Sequence, residues 1–313
     1  MRAAGIHRVG DDVELLELPG SRALRPDEIL LDVQACGVGN WDDVARTGGW
    51  DVGARPPMAL GVEAAGVVAA VGDRVGAVQA GDRVTTHSVP LREQGAWAEQ
   101  FIAAADDVAT VPAGVSFDAA AALPVPALTA DLTVGDALEV HAGQTVLVNG
   151  AGGVTGAMLV QLAAHRGATV IATAGAGSAS RLAEMGAAVV LDYHQASWPE
   201  KVRGLTNGGV DAAANAAPSG AGEAMKAVRD GGRLATITAD PPVSERGITV
   251  VPVQVVPDGA RLSGLVLLLD EGTLTVTVGA RLPLDQGAAA LAQAKHGAGG
   301  AAIVLRPRPS NHG

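Results

Sequence analysis

The sequence predicts an α/β protein in which an all-β region is followed by a doubly wound parallel sheet. Short strands separated by Gly, Pro and Asp turns fill the first 120 residues, and strands alternate with helices from about residue 125. A Gly-rich turn joins one of these strands to a helix. The length of 313 residues favours two domains over one. We expect the segments 1–122, 123–255 and 256–313, the last ending the α/β region and returning to the first.

The strands and helices follow from apolar runs and their periodicity. The predicted strands of the all-β region are EILLDVQAC, AAGVVAAVG, GDRVTTHSV, AEQFIAA and DVATVP. The α/β region has the predicted strands QTVLVNG, ATVIATAG, AAVVLDY, GGVDAAANA and RLATIT, and the predicted helices VTGAMLVQLAAHRG, SASRLAEMG and GAGEAMKAVRDGG. Beyond residue 240, GARLSGLVLLLDEGTL suits a helix, and the last strand, AAIVLRP, is expected to return to the all-β region. The Pro-rich tail from Arg306 is expected to fray.

Composition excludes several classes of function. The formal charge of −11, with no run of basic residues, argues against a nucleic-acid partner. No apolar segment reaches the length of a membrane span, so no membrane partner is expected. The single Cys cannot form an intramolecular disulfide, and the first residues do not resemble a signal peptide. These features together favour a cytoplasmic enzyme.

The Gly-rich turn NGAGGVTGAM, at positions 149–158, is suited to a pyrophosphate group. A strand, a turn and a helix bring free backbone N–H groups and the positive end of the helix dipole to one point. Gly150 and Gly152 permit the tight turn and the close approach of a ligand. Thr155 stands where the third glycine of G-x-G-x-x-G is expected, and Gly156 follows it. The alternative is a flexible turn without a ligand.

The stretch after the second strand of the α/β region indicates which dinucleotide is preferred. Sites that select NAD carry an acidic residue there for the ribose hydroxyls, whereas TAGAGSASRLAE has none before Glu184. Ser178, Ser180 and Arg181 instead provide hydroxyl donors and a guanidinium suited to a 2′-phosphate. We therefore predict NADP(H) as the cofactor. Helix-capping serines and a solvated arginine are the alternative interpretation.

Seven motifs together resemble those of a known family. They are VQACGVGNWDDVARTG, GVEAAGVVAAVG, AGDRV, GAWAEQFIA, AAALPVPALTA, GQTVLVNGAGGVTGAMLVQLA and LAEMGAAVVLDY. In these motifs the chain resembles the medium-chain dehydrogenase/reductase superfamily, in its zinc-free quinone oxidoreductase (zeta-crystallin-like) branch. The resemblance implies a GroES-like β-domain interrupted by a Rossmann domain, with an active cleft between them. It also implies a homodimer.

The resemblance assigns roles to residues in matching positions. Thr129 is expected near the nicotinamide, and Tyr193 beside the adenosine phosphate. Backbone groups at Asn215, Ala216, Ile237 and Thr238 are expected to touch the adenosine ribose or the nicotinamide. Together with the turn, the expected cofactor contacts are Gly150, Gly152, Gly153, Val154, Thr155, Thr173, Ser178, Arg181, Tyr193, Asn215, Ala216, Ile237 and Thr238.

The substrate end of the site is less well matched. Relatives often carry Asn in GVNPVD, whereas here Asn40 is shifted by one position; it is the candidate group for polarising a substrate oxygen, with Thr129 as the other candidate catalytic residue. Trp50 stands where a Tyr is common in the family. Trp41, Trp50 and Trp97 either form walls for a planar substrate or pack in the core.

A catalytic zinc is not expected. The family's ligand positions are occupied by Gly39 and Val62, Cys36 lies three residues too early, and His87 has no partner at useful spacing. Without a Lewis acid, alcohol oxidation loses its means of stabilising an alkoxide. A quinone or an enone needs none, because it accepts hydride at carbon and spreads the charge onto oxygen.

We therefore predict an NADPH-dependent, zinc-independent reductase of quinones or α,β-unsaturated carbonyl compounds. Two alternatives stay open. One is an enoyl reductase for a polyketide-like or thioester intermediate. The other is an NADPH-binding protein with little turnover, acting as a sensor or a structural protein.

Overall fold

The computed structural model describes residues 1–307, which divide into two compact units. The β unit comprises residues 1–125 together with the chain from Val256 onward, and the α/β unit comprises Pro126–Val255. The strands are β1 (Arg2–Ile6), β2 (Glu14–Glu17), β3 (Glu28–Val38), β4 (Met58–Ala59), β5 (Glu63–Val71), β6 (Arg83–His87), β7 (Gln100–Ala104), β8 (Val108–Thr110), β9 (Thr145–Asn149), β10 (Thr169–Ala174), β11 (Ala187–Asp192), β12 (Val210–Asn215), β13 (Val228–Thr236), β14 (Thr249–Pro252), β15 (Val278–Pro283) and β16 (Ala302–Arg306). The helices are α1 (Asn40–Arg46), α2 (Phe117–Ala121), α3 (Pro124–Asp131), α4 (Val154–His165), α5 (Ala179–Glu184), α6 (Trp198–Leu205), α7 (Ala221–Ala227), α8 (Gly259–Asp270) and α9 (Gly287–Lys295).

The β unit is built around β3, the longest of its strands. β3 pairs antiparallel with β5, β7 and β16, within a seven-stranded sheet whose main path runs β15-β16-β3-β5-β6-β8. A separate three-stranded sheet has the order β2-β1-β4. The last strand therefore returns to the β unit, as predicted from the sequence. Arg306 is the final residue of β16 rather than the start of a frayed tail, and the rest of that tail, residues 308–313, lies outside the described residues.

The α/β unit contains one six-stranded parallel sheet in the order β11-β10-β9-β12-β13-β14. The chain moves outward from β9 to β11 and then returns to the other side of β9 to add β12, β13 and β14. This reversal creates a switch point between β9 and β12, where the carboxyl ends of parallel strands leave a crevice for a ligand. The predicted α/β fold class, a β-domain plus a doubly wound parallel sheet, is confirmed.

Small aliphatic side chains form the core of the α/β unit, as the low aromatic content requires. Both faces of a parallel sheet are covered by helices, so its strands read as continuous apolar runs rather than alternating ones. Buried residues packed together on one face of the sheet include Leu147, Ile171, Trp198, Val202, Val210 and Leu234. None of the described helices combines the length and the apolar character needed to cross a bilayer.

One predicted helix ends early. We expected GAGEAMKAVRDGG to be helical throughout, but α7 ends at Ala227 and β13 begins at Val228. The Val228 side chain is fully buried and its backbone pairs with Val210, so burial in the sheet outweighs the helical pattern. The sequence analysis did not predict the helices α1, α2, α3, α6 and α9. α2 has only five residues, α3 contains two prolines, and α6 begins at a Trp-Pro pair.

Candidate functional site

The Gly-rich turn between β9 and α4 depends on two glycines for different reasons. Gly150 has a φ of +81°, and a Cβ there would lie 2.7 Å from the backbone nitrogen of Ala217. A Cβ on Gly156 would lie 2.2 Å from the carbonyl oxygen of Gly150, so the helix can pack against the turn only without a side chain. Gly156 thus performs the packing role that the sequence motif assigns to the position of Thr155. The signal for it was the regular spacing of Gly150, Gly153 and Gly156.

The amino end of α4 offers backbone donors. Gly153 is the N-cap, and the helix that follows is 12 residues long. The first N–H groups of a helix have no acceptor inside it, and the helix dipole places positive charge at the same point. The side chains of Val154 and Thr155 in this first turn are partly exposed. These features fit a pyrophosphate group without any charged side chain.

Residues from the β10–α5 connection gather beside this turn. Arg181 donates through Nη2 to the carbonyl oxygen of Gly152 at 2.8 Å, and burial lowers the pKa of its guanidinium. A Cβ on Gly152 would lie 3.4 Å from Oγ of Ser178. Ser178 is the N-cap of α5, yet within the described structure its side chain makes no capping bond, which removes the main alternative interpretation of this residue. Ser180 is exposed on the same helix.

Tyr193 lies on the outer side of the same edge. Its side chain is 52% exposed, and a Cβ on Gly175 would lie 3.8 Å from its Cε1. The ring stacks on His194 with the centroids 4.0 Å apart, and Nδ1 of His194 lies 2.7 Å from Oδ1 of Asp192. Next to this group is a pocket of about 350 Å³, whose lining includes Ala174, Gly175, Leu191, Asp192, Trp198 and Lys201. The structure thus brings Gly152, Ser178, Arg181 and Tyr193 to one edge.

The remaining predicted cofactor contacts lie at the ends of the central strands, where several polar groups are already engaged. Thr173 and Asn215 are fully buried, and Asn215 donates to Thr238 and accepts from Asn149. The N–H of Ala216 donates to Asn149, and the N–H of Ile237 donates to the carbonyl oxygen of Asn215. These two N–H groups therefore serve the protein itself. The Asn215 side chain has no surface to offer a ligand.

Thr129 lies in α3 and is 8% exposed. Its carbonyl oxygen accepts a hydrogen bond from Oγ1 of Thr133 at 2.7 Å. Immediately after α3 the chain forms a π-helical turn over Leu132–Ala137. Such turns are rare, and they occur frequently at functional sites.

The candidate residues at the substrate end occupy three different environments. Asn40 is the exposed first residue of α1, whereas Trp41 and Trp50 are partly buried. Trp97 is 0% exposed and donates through Nε1 to the carbonyl oxygen of Gly37 at 2.9 Å. Trp97 is therefore a core residue, and we withdraw it as a wall of the substrate site.

The positions that hold zinc ligands in related enzymes carry groups unsuited to a metal. The N–H of Gly39 donates to Asp42, and Val62 is buried. Burial lowers the pKa of His87 to about 4, and its Nδ1 donates to the carbonyl oxygen of Val62. The Cys36 thiol donates to the carbonyl oxygen of Leu305, and burial raises its pKa well above the usual range. Residues 1–307 contain no group of three His, Cys, Asp or Glu side chains arranged to bind a metal ion.

Two carboxyl groups are buried in the same region of the β unit. Asp42 and Glu63 are each 1% exposed. Burial raises the pKa of Asp42 to about 8, against the opposing hydrogen bond from Gly39. Burial also raises the pKa of Glu63, although its Oε2 accepts the N–H of Val125 at 2.8 Å. Both carboxyl groups therefore keep their protons at pH values well above the range in which a carboxyl group ordinarily ionises.

Two family models match the chain. The Alcohol dehydrogenase GroES-like domain matches residues 25–113, in the β unit, and the Zinc-binding dehydrogenase model matches residues 154–273. The quinone oxidoreductase of Mus musculus is 28% identical over 319 residues, which are 96% of this chain and 95% of that protein. The chain belongs to the medium-chain dehydrogenase/reductase superfamily, in its quinone oxidoreductase branch.

Other relatives and solved structures resemble the chain over part or nearly all of its length. A synaptic vesicle membrane protein VAT-1 homolog of Danio rerio is 34% identical over 202 residues, but the match spans 64% of this chain and only 41% of that protein. An NAD-dependent alcohol dehydrogenase has a TM-score of 0.90 at 27% identity, covering 98% of this chain and 100% of that one. A mycobacterial protein complexed with NADPH has a TM-score of 0.85 at 29% identity, with coverage of 98% and 100%.

Proposed function

We propose that the protein is an NADPH-dependent, zinc-independent reductase of quinones or α,β-unsaturated carbonyl compounds. The observation that carries this proposal is the grouping of Ser178 and Arg181 beside the Gly-rich turn, with Tyr193 next to Gly175 at the same carboxyl edge of the parallel sheet. The last residue of β10, where an NAD site would carry an acidic residue, is Ala174, and Gly175 follows it. The solved relative complexed with NADPH supports the same cofactor.

The residues of the α/β unit fit the cofactor in two parts. The turn and the first N–H groups of α4 would hold the pyrophosphate, and Ser178 with Arg181 would hold the 2′-phosphate through charge-assisted hydrogen bonds. Arg181 already bonds to the turn through Nη2, so the same side chain joins the two parts. When bound, NADPH supplies a hydride to an electrophilic carbon of the acceptor.

The residues of the β unit favour an acceptor that is activated without a metal. The zinc-ligand positions hold Gly39 and Val62, and the thiol of Cys36 is buried and protonated. Charge that develops on a quinone or enone oxygen needs only hydrogen-bond donors. The exposed amide of Asn40 is the candidate donor, and Trp41 and Trp50 are the remaining aromatic candidates for contact with a planar ring. We also expect a homodimer in solution, which sizing would test.

The experiment is a coenzyme and acceptor survey on the zinc-analysed protein. NADPH and NADH oxidation would be followed with small quinones, cyclic enones and enoyl thioesters. We expect NADPH oxidation with quinones or enones at a metal content far below one zinc per chain. A preference for enoyl thioesters would identify the enoyl reductase alternative. NADPH binding without turnover across the panel would identify a binding protein, and stoichiometric zinc would contradict metal independence.

The cofactor preference has its own test in Arg181→Ala, with Arg8→Ala as the matched control, because Arg8 is an 84% exposed arginine of the β unit. Loss of a charge-assisted phosphate contact should weaken NADPH binding by about tenfold or more. NADH binding should change much less, because NADH lacks the 2′-phosphate. Dissociation constants from nucleotide fluorescence would check this. Equal weakening of both coenzymes would contradict a 2′-phosphate role for Arg181.

A further inference from the structure

A continuous chain of polar side chains crosses the carboxyl edge of the parallel sheet. It links the ends of four neighbouring strands in the order β10, β9, β12 and β13. The N–H of Gly150 donates to Oγ1 of Thr173 at 3.1 Å, and Thr173 donates to Oδ1 of Asn149 at 2.6 Å. Asn149 donates through Nδ2 to Oδ1 of Asn215 at 2.8 Å. Asn215 then donates through Nδ2 to Oγ1 of Thr236 and of Thr238, at 3.1 and 2.9 Å.

The chain ends on a carboxylate. Oγ1 of Thr236 and Oγ1 of Thr238 each donate to Oδ1 of Asp240 at 2.6 Å. Oδ2 of Asp240 accepts the N–H of Ala221, at the start of α7. Burial opposes the charge on Asp240, but the hydrogen bonds from both threonines and from Ala221 together hold its pKa below the usual value. The side chain is therefore an acceptor only at neutral pH.

Every bond in this chain runs in the same direction, toward the carboxylate of Asp240. Because Asp240 can only accept, the two threonine hydroxyls must donate to it, and their oxygens are then free to accept from Asn215. That favours the Asn215 orientation in which Oδ1 faces Asn149, and in turn the matching orientation of the Asn149 amide. Thr173 must then donate to Asn149, which leaves its oxygen as the acceptor for Gly150. Backbone groups act in the same sense, because Asn215 also donates to the carbonyl oxygen of Ala217 at 3.0 Å and Asn149 to that of Gly220 at 3.3 Å. The charge on Asp240 thus reinforces the orientation of both buried amides.

The backbone around Asp240 supports a specific role. Ala239 has a φ of +56°, an uncommon conformation for a residue with a side chain. Such conformations persist where the surrounding structure holds them, and they cluster at functional sites. Here the turn at Ala239 brings Asp240 back onto the strand ends. Among the strand-end residues of the chain, Asn149, Thr173, Asn215 and Thr236 are at most 4% exposed, so water does not compete for these bonds.

We propose that Asp240 is a positioning residue for the dinucleotide, acting through this side-chain relay on the N–H of Gly150 in the phosphate-binding turn. The inference rests on the proposed NADPH function and adds a residue outside the turn that sets its geometry. Three strand spacings separate Thr173 from Asp240, about 14 Å. The relay contacts the turn and not the 2′-phosphate group, so it should serve NADPH and NADH equally.

The test is Asp240→Asn in the full-length protein. The substituted amide either faces the N–H of Ala221 with a second donor or turns over and points its donor at the two threonine hydroxyls, which then lose their acceptor. We expect the dissociation constants of NADPH and of NADH to rise by the same factor, about tenfold. The amide resonance of Gly150, measured by nuclear magnetic resonance without any nucleotide, should shift. Unchanged affinities, or a Gly150 resonance identical to that of the parent protein, would overturn the proposal.

Asp211→Asn is the matched control. Asp211 also accepts a backbone N–H, from Thr145 at 2.8 Å, and pairs with Arg229, but it lies near the amino end of β12. We expect it to lower the urea midpoint while leaving the Gly150 resonance and both dissociation constants unchanged. An equal loss of nucleotide affinity in Asp211→Asn would show that Asp240→Asn acts only through stability.

A double-mutant cycle with Thr173→Val separates a relay from two independent effects. Residues this far apart without shared partners normally have additive effects. If the relay couples them, the double variant should lose less nucleotide affinity than the product of the two single losses. If Asp240→Asn does not fold, Thr173→Val gives the reciprocal measurement at the amide resonance of Ala221. Additive losses of nucleotide affinity would refute the relay. If the parent protein bound neither coenzyme, the proposed function would be refuted, but the shift of the Gly150 resonance would still test the relay.

Discussion

Asp42 shows how a single buried carboxyl can make stability depend on pH. One oxygen of its side chain, Oδ2, accepts the N–H of Gly39 at 2.8 Å. Within the described residues no donor reaches the other oxygen, Oδ1, although it is buried. A neutral carboxyl tolerates this environment better than a charged one, and burial accordingly raises the pKa of Asp42 to about 8.

We predict that Asp42→Asn stabilises the protein increasingly as the pH rises from 4 to 8. The unfolded carboxyl loses its proton near 3.8 and the folded one near 8, so the folded state loses about 1.4 kcal/mol relative to the unfolded state for each pH unit in this window. The contribution of Asp42 to stability is therefore fully present below the unfolded pKa and is lost as the pH rises through the folded value of about 8. An amide does not titrate and avoids the loss. Urea unfolding at several pH values measures the difference.

Asp43→Asn, on the next residue, is the control for that series. Hydrogen bonding from Lys295 lowers the pKa of Asp43, which accepts from Arg46 as well. Its contribution should be present above the unfolded pKa and be lost as the pH falls, so this variant should show the opposite trend. A pH-independent difference between Asp42→Asn and the parent protein would mean that Asp42 is charged in the folded state.

The residues that could be found from the sequence are those whose role is local. Gly150, Ser178 and Arg181 lie within a short stretch or next to it, and their positions follow from a strand, a turn and a helix. Trp97 and Asp240 could not be placed in this way, because the direction of each side chain depends on a distant partner. For Trp97 that partner is the carbonyl oxygen of Gly37, and for Asp240 it is the strand end at Thr236. The sequence did contain one signal for the side-chain relay, since each of β9, β12 and β13 ends with a polar residue.

At the scale of elements, the junction of β9 with α4 should respond differently to two glycine substitutions. A Cβ on Gly156 would lie 2.2 Å from the Gly150 oxygen and 2.7 Å from Cα of Ala151, so Gly156→Ala must move backbone. A Cβ on Gly153 would approach the protein no closer than 4.0 Å, and its φ of −80° suits alanine. We predict that Gly156→Ala lowers the urea midpoint and weakens NADPH binding. Gly153→Ala should leave the free energy of unfolding within about 0.5 kcal/mol of the parent value. It should still weaken NADPH binding, because its methyl group occupies the approach to the helix end.

Nucleotide titration and urea unfolding of the two glycine variants would measure these effects side by side. If Gly153→Ala binds NADPH as tightly as the parent protein, the pyrophosphate does not approach the turn at this residue.

The elements themselves were predictable where the hydrophobic pattern and the burial of the residues agree, as in β9 and α4. They were not predictable at α7 and β13, where a helical pattern continues into a residue, Val228, that the sheet buries.

At the scale of the whole molecule, the β unit is assembled from two separate stretches of chain. β15 and β16 come from the second stretch, and β16 pairs with β3 from the first. Asp118 in α2 joins the two stretches: it accepts from Arg281 at 2.5 Å and from Arg306 at 2.5 and 3.0 Å. Burial opposes the charge on Asp118, but the hydrogen bonds from both arginines lower its pKa overall.

We predict that Asp118→Asn destabilises the protein by about 1–3 kcal/mol at neutral pH, because two guanidinium groups lose a buried charged partner. The Asp118 contribution is present above the unfolded pKa of about 3.8 and is lost as the pH falls through the lower folded value, so the cost should shrink in acid. The NADPH dissociation constant should stay unchanged, since the residues proposed to bind NADPH belong to the α/β unit. Glu223→Gln, which removes an ion pair with Lys226 that is more than half exposed, should leave the urea midpoint close to that of the parent protein. Urea unfolding and nucleotide titration of both variants would measure these effects, and a loss of NADPH affinity in Asp118→Asn would contradict the assignment of binding to the α/β unit alone.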